Sequence, residues 1–184
     1  VESLISKKSN SKSIRFAKKS LNISLRYYLN YLRKPNFENT SAMCFAANLS
    51  GKAISISKTT APHAISYPFT SLYNISHGHA VSLTLEKFLK FNFINYKKAS
   101  CNFNLNLRYK SIFSIFGVKG IIELENFFIE TKKQAKLEDN FQKLKINLNT
   151  NIDRLINGIN IRRLQNNPIN LNKNDIKTIL LKSN

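Results

Sequence analysis

Apolar residues recur at intervals of three and four over Ile14, Ala17, Leu21, Leu25, Tyr28, Leu29 and Leu32, so the pattern predicts a helix over 14–32. Pro35 stops it, because proline has no amide hydrogen and clashes with the preceding turn. Phe37-Glu-Asn-Thr-Ser then offers a turn and cap before a second helical stretch through Met43, Ala46, Leu49 and Ile54. Its small residues, among them Ala42, Ala46, Ala47, Ser50, Gly51 and Ala53, predict a helix deep within a bundle, where another backbone comes close. A third helix carries His63 and reaches about Tyr73, with Pro68 inside it as a kink. Asn74-Ile-Ser is a short connection, and Ser76 is placed to cap a helix over 77–89. Beyond lie an amphipathic segment over 105–116, a turn at Gly117-Val-Lys-Gly120 and a helix over 121–135. Shorter helices follow over 152–157 and 175–181, separated by a break at Asn167-Pro168.

Strict two-residue alternation is confined to Asn102-Phe-Asn-Leu-Asn-Leu, too short to argue for a sheet, so the expected class is all-α, a helical bundle. There is no internal repeat and no Gly/Pro/Ser-rich linker. With 184 residues, 42% of them hydrophobic, the chain can bury a core as one domain over 1–184. Val1-Glu-Ser-Leu-Ile-Ser-Lys-Lys reads as the middle of a helix with no capping residue before it, so an N-terminally truncated domain is expected.

Charge complicates this picture. Twenty-nine Lys and Arg against ten Asp and Glu give a net charge of +19, which first suggests a polyanionic partner. Lys8, Lys12, Arg15, Lys19, Arg26 and Arg33 form a stripe beside the apolar face of the first long helix. A basic helical nucleic-acid-binding protein is therefore the alternative reading. The more ordinary one is a solvated outer face, since the Lys/Asn/Ile/Phe bias runs from end to end and no nucleic-acid reading motif accompanies it. Cys44 and Cys101 stand alone and far apart, indicating neither a disulfide framework nor a zinc knuckle; a reducing cytoplasm is expected. No apolar run is long enough to predict a membrane span.

All three histidines fall at His63, His77 and His79. His63 and His77 sit on consecutive helical segments joined by a short turn, so both imidazoles can converge on one point. Two ligands fall short of the three that catalytic zinc usually takes from protein, and no carboxylate is evident beside them, so on the residues alone hydrogen-bonded histidines remain the simpler reading. His79 follows His77 by two helical positions and points about 200° away from it.

The run His63-Ala-Ile-Ser-Tyr-Pro-Phe-Thr-Ser-Leu-Tyr-Asn-Ile-Ser-His-Gly-His-Ala-Val-Ser-Leu-Thr-Leu85 resembles the signature of the iron-containing alcohol dehydrogenase family. Val1-Glu2-Ser3 is similar to the end of that family's Asp-Ala-Leu-x-x-Ala-Ile-Glu-Ser segment, and Asn167-Pro168 to its Asn-Pro-Arg, with Ile169 in place of Arg. The resemblance spans essentially the whole chain and implies the helical C-terminal domain, with His63 and His77 as ligands of a divalent metal, Fe²⁺ or Zn²⁺. It further implies an aspartate ligand just before Val1. NAD(H) or NADP(H) would be bound through a nucleotide-binding domain that is absent here; the five glycines include no adjacent pair for its phosphate loop. The implied reaction is reduction of an aldehyde or oxidation of an alcohol. Tyr67 occupies a position, one turn after His63, where the family often has a second histidine; it is the candidate proton donor, with a packed aromatic as the alternative. Gly78 and Ala80 either allow close approach to the ion and cofactor or serve tight helix packing. Lys-Thr-Thr-Ala-Pro-His-Ala and His-Gly-His-Ala look closest to the branch that includes phosphonoacetaldehyde reductases. An anionic small substrate follows from that, and no particular Lys or Arg is singled out for it; a homo-oligomer is left open.

Overall fold

The computed structural model describes residues 1–181, and among them every regular element is a helix. α1 (Glu2–Ile5) leads into two long helices, α2 (Ser11–Arg33) and α3 (Phe37–Ser57). α4 (Ala61–Tyr73) and α5 (His77–Ile94) follow, and a single 3₁₀ turn at Tyr96–Lys98 closes this half. Then come α6 (Leu105–Phe116), α7 (Ile121–Gln134), α8 (Leu148–Asn157), α9 (Ile161–Leu164) and α10 (Lys173–Leu181).

Asparagine starts most of these helices. Asn10 and Ser13 exchange side-chain and backbone hydrogen bonds at the head of α2, and Asn36 and Asn39 do the same for α3. Phe37, expected in a turn, is therefore already helical and is 90% exposed. Asn104 caps α6, so the alternating Asn102–Leu107 segment becomes a helix start rather than a strand. Gly117 ends α6 with φ +66°, the left-handed conformation that glycine adopts without a side-chain clash. α5 runs five residues past Leu89, because nothing before Asn95 breaks it.

Two expectations need correction. The Val1–Lys8 segment is helical only as far as Ile5: Ser6 is extended and ends α1, and its hydroxyl donates to the Ser57 carbonyl at 2.5 Å. Nor is α3 buried deep in a bundle. Ala46 and Ala53 pack inward and Ser20 Oγ donates to Ala46 O at 2.8 Å, yet Ala47 and Gly51 are exposed. Small residues serve mainly the seam with α2, with Ala53 also packed toward Leu4 and Ile5 of α1, and the α2–α3 pair stands on one side of the domain. Leu32, near the tip of that hairpin, is half exposed.

α5 is the wall shared by two cores. Leu83 and Phe88 face a cluster that includes Ala64, Ile65 and Phe69 of α4, Ile152 and Leu155 of α8, and Ile176 and Leu180 of α10. Leu89 faces the other, with Leu4 and Ile5 of α1, Tyr109, Ile112 and Phe113 of α6, and Leu124 of α7. The tail is locked on by amides. Asn167, fully buried, exchanges side-chain hydrogen bonds of 3.1 and 2.9 Å with Asn92 of α5. That satisfies polar groups whose desolvation would otherwise be costly, and gives Asn167-Pro168 a structural purpose.

Candidate metal centre

α1 is small, yet all four of its residues are buried, and the most informative of them is charged. Glu2 is 6% exposed and lies at the N-terminus of α4. Its Oε1 accepts the Thr60 amide at 2.9 Å and the Thr60 hydroxyl at 2.7 Å; the His63 amide is 3.5 Å away. Thr60 occupies the cap position of α4 without capping it through its own side chain. The Glu2 carboxylate takes that role from across the fold, where unpaired amides and the helix dipole favour a negative charge. Its other oxygen, Oε2, meets His63 Nδ1 in a short hydrogen bond.

Burial pushes the Glu2 carboxyl upward, and the His63 imidazole with the two Thr60 donors outweighs it, so Glu2 is held below the usual carboxylate range. It is an anion, and an anion accepts. His63 therefore presents a proton at Nδ1, and Nε2 is the ring nitrogen turned away from the carboxylate.

The second histidine is arranged the same way. Ser66 Oγ donates its one proton to the His63 carbonyl at 2.8 Å, which leaves that oxygen to accept from His77 Nδ1 at 3.3 Å. His77 Nε2 is then the free nitrogen. The two rings lie 5.3 Å apart, edge to face at 69°. Partial burial, then the neighbouring His63 and finally Arg163 hold His77 below the usual imidazole range, with Glu2 opposing them. A neutral ring is the form that can ligate.

His79 is turned elsewhere, its Nε2 donating to the Glu138 carbonyl at 2.6 Å. Tyr67 is beside the pair, its ring 5.4 Å from that of His77 and 39% exposed, so it is not a packed core aromatic. Its hydroxyl accepts from Arg163 Nη1 at 2.6 Å, and the guanidinium lies over the ring, 4.4 Å from its centre. Arg163 comes from α9. A Cβ on Gly78 would meet nothing within 4 Å, so packing does not require glycine there, whereas Ala80 is fully buried.

The structure thus brings His63, His77 and Tyr67 onto one open face and adds Glu2, Thr60, Ser66 and Arg163. Sequence offered little signal for these four. Glu2 is separated from His63 by 61 positions and Arg163 from Tyr67 by 96. Two free imidazole nitrogens, each fixed by a hydrogen bond at the opposite ring atom, suit a divalent metal, since ligating histidines almost always carry such a partner. Two nitrogens are fewer than a coordination sphere needs, and among the described residues no group of three or more His, Cys, Asp or Glu is placed to hold an ion.

Comparison with known proteins bears on the family and the fold. A curated phosphonoacetaldehyde reductase from Streptomyces viridochromogenes is 47% identical over 47 residues, 26% of this chain and 12% of that protein. Sulfoacetaldehyde reductase from Bifidobacterium kashiwanohense, solved with NAD⁺, superposes with a TM-score of 0.83 at 24% identity, over 98% of this chain and 46% of that one. An archaeal alcohol dehydrogenase from a Red Sea brine pool superposes with a TM-score of 0.87 at 20% identity, over 100% and 47%. The chain therefore spans about half the length of the solved proteins it matches, and at these identities they establish the helical fold alone. The model of the C-terminal part of the Fe-containing alcohol dehydrogenase family matches residues 1–184, and the chain belongs to that family.

Proposed function

We propose that this domain is the metal-binding half of an oxidoreductase that interconverts an aldehyde and an alcohol. The observation that carries the reading is the matched pair of histidines, each with Nδ1 engaged and Nε2 free. His63 and His77 would hold a divalent cation, Fe²⁺ or Zn²⁺, with the remaining donors and the nicotinamide-binding surface supplied by the part of the enzyme that this chain does not span. Imidazole suits either ion. When bound, the cation supplies Lewis-acid polarisation of the substrate oxygen and a nicotinamide cofactor supplies or accepts the hydride. Glu2 fixes the His63 ring through Nδ1, and Ser66 fixes that of His77 in the same way. Tyr67 would exchange a proton with the substrate oxygen. Its own oxygen already accepts from Arg163, so its proton is free to point away from that side chain.

Two of the relatives are named for aldehydes that carry a phosphonate or a sulfonate. A short aldehyde with an anionic end is accordingly the substrate class we assign. The alternative of a nucleic-acid-binding protein rests only on charge: Lys8, Lys12, Arg15, Lys19, Arg26 and Arg33 are all exposed on the outer side of the domain.

Elemental analysis of the complete enzyme, with turnover followed by nicotinamide absorbance, tests this. His63→Ala and His77→Ala should each lose the metal and the activity, whereas His79→Ala should keep the metal. Full metal occupancy and turnover in His63→Ala would show that the ligand assignment is wrong.

A further inference from the structure

The metal pair accounts for one end of the open face, and Arg163 occupies the other. The side chain is held in two ways, stacked on the Tyr67 ring and donating to the Tyr67 hydroxyl. The backbone beneath it is also fixed: Asn160 accepts the Arg162 amide at 3.0 Å through its side chain and the Arg163 amide at 3.0 Å through its carbonyl. Among the described residues no carboxylate comes within 4 Å of the guanidinium. A guanidinium has five N–H donors, of which Tyr67 takes one, and its planar fork matches the oxygens of phosphonates and sulfonates. Among the described residues, then, an oriented, exposed cation without a carboxylate partner stands beside the histidine pair.

Its distance from the histidines sets a length. Tyr67 touches both His77 and Arg163, so one aromatic ring separates the ligand pair from the guanidinium. A molecule whose oxygen sits at the histidines and whose anionic end meets Arg163 would lie along the Tyr67 ring.

Resting on the function proposed above, we infer that Arg163, held by Tyr67, is the specificity-determining residue that receives a tetrahedral oxyanion, a phosphonate or sulfonate, at the far end of a short aldehyde. The lysines of α2 contribute only to the general field. Arg163 acts on binding and selectivity, and it takes no proton.

The test uses the complete enzyme, with wild type compared with Arg163→Leu and Arg163→Lys. Phosphonoacetaldehyde, sulfoacetaldehyde and an uncharged aldehyde of similar length are the three substrates, and ethylphosphonate and ethanesulfonate serve as unreactive ligands in calorimetric titrations. For Arg163→Leu, kcat/KM on at least one anionic substrate should fall about 100-fold more than on the uncharged one, mainly through KM. The matching unreactive anion should lose its binding in the same proportion. Arg163→Lys should recover part of both losses, because the charge remains and the fork does not. The phosphonate and sulfonate arms show which oxyanion the site prefers. Equal losses on charged and uncharged aldehydes, with anion binding intact, would overturn the inference and leave the oxidoreductase reading standing. An enzyme that reduces no aldehyde but binds ethylphosphonate through Arg163 would overturn the proposed reaction while supporting the anion site.

Discussion

Two carboxylates, Glu2 and Glu86, are almost fully buried in this domain, and each faces a nitrogen base. Glu86 of α5 accepts from Lys132 of α7 at 2.9 Å. That ammonium, itself only 3% exposed, also reaches Asp139 at 2.7 Å and the Ser82 carbonyl at 3.4 Å. The three N–H donors of the ammonium meet three acceptors, so the base keeps no atom with which to bind anything else, although Glu86 Oε2 is buried without a hydrogen-bond partner. Glu2 faces an imidazole instead. One nitrogen answers the carboxylate and the other remains free at the surface. The same burial of an acid therefore serves two ends, and what separates them is the number of binding atoms the partner retains.

The largest effect should come from breaking the closed network. Lys132→Met leaves Glu86 buried with only Lys87 at 3.3 Å, and removal of one partner from a buried pair typically costs about 3–5 kcal/mol. Urea unfolding should show that loss with metal content unchanged. Glu86→Leu combined with Lys132→Met should regain most of it, because replacing both partners removes the stranded charge. A double variant no better than the single one would mean the network does more than neutralise itself.

The open pair should respond less in stability and more in function. Glu2→Gln keeps an oxygen for Thr60 and removes the charge that orients His63. Stability should fall by about 1–2 kcal/mol, and metal affinity of the complete enzyme by about 10–100-fold. Acid sensitivity should change too. Because the folded carboxyl is held below its ordinary value of 4.5, the stability it contributes is fully present above that value and is lost as pH falls through the lower, folded one. Glu2→Gln should lack that part of the acid dependence. If Glu2→Gln costs as much stability as Lys132→Met and leaves metal affinity alone, the two carboxylates are alike and the comparison fails.

Much of this architecture could be read along the chain, for local reasons. The helix over 105–116 was readable because Asn104, a three-four apolar period and Gly117 all lie within one segment. That His63 and His77 come together was readable because a single connection joins their helices. Glu2 and Arg163 were not, since their meaning depends on closures across most of the domain: Val1-Glu2-Ser3 could be matched to a family segment without revealing that its carboxylate caps α4. The depth of α3 was misjudged for a related reason. Small residues signal close approach, and they do not say whether one neighbour approaches or several.

The smallest effect concerns how Thr60 is delivered to Glu2. α3 ends at Lys58, whose backbone sits at φ 58°, ψ −178°, a region populated almost only by glycine. This turn carries the chain from α3 into buried Thr59 and Thr60. Strain of this kind costs about 1–3 kcal/mol, and glycine would relieve it while adding about 0.5–1 kcal/mol of unfolded-state entropy to lose. Lys58→Gly should therefore stabilise the protein by about 1 kcal/mol, a rise of about 2–4 °C in thermal unfolding for a domain of this size. Lys58→Ala is the control. It removes the same ammonium contact to the Ser55 carbonyl, 3.0 Å in length, but retains a Cβ and hence the strain, so its melting temperature should not rise. Metal affinity should stay unaltered in both, because Thr60 keeps its two hydrogen bonds to Glu2 whichever residue makes the turn. A destabilised Lys58→Gly with a stable Lys58→Ala would show that the turn needs stiffness more than relief, and that the Glu2 corner is held together by the chain leading into it.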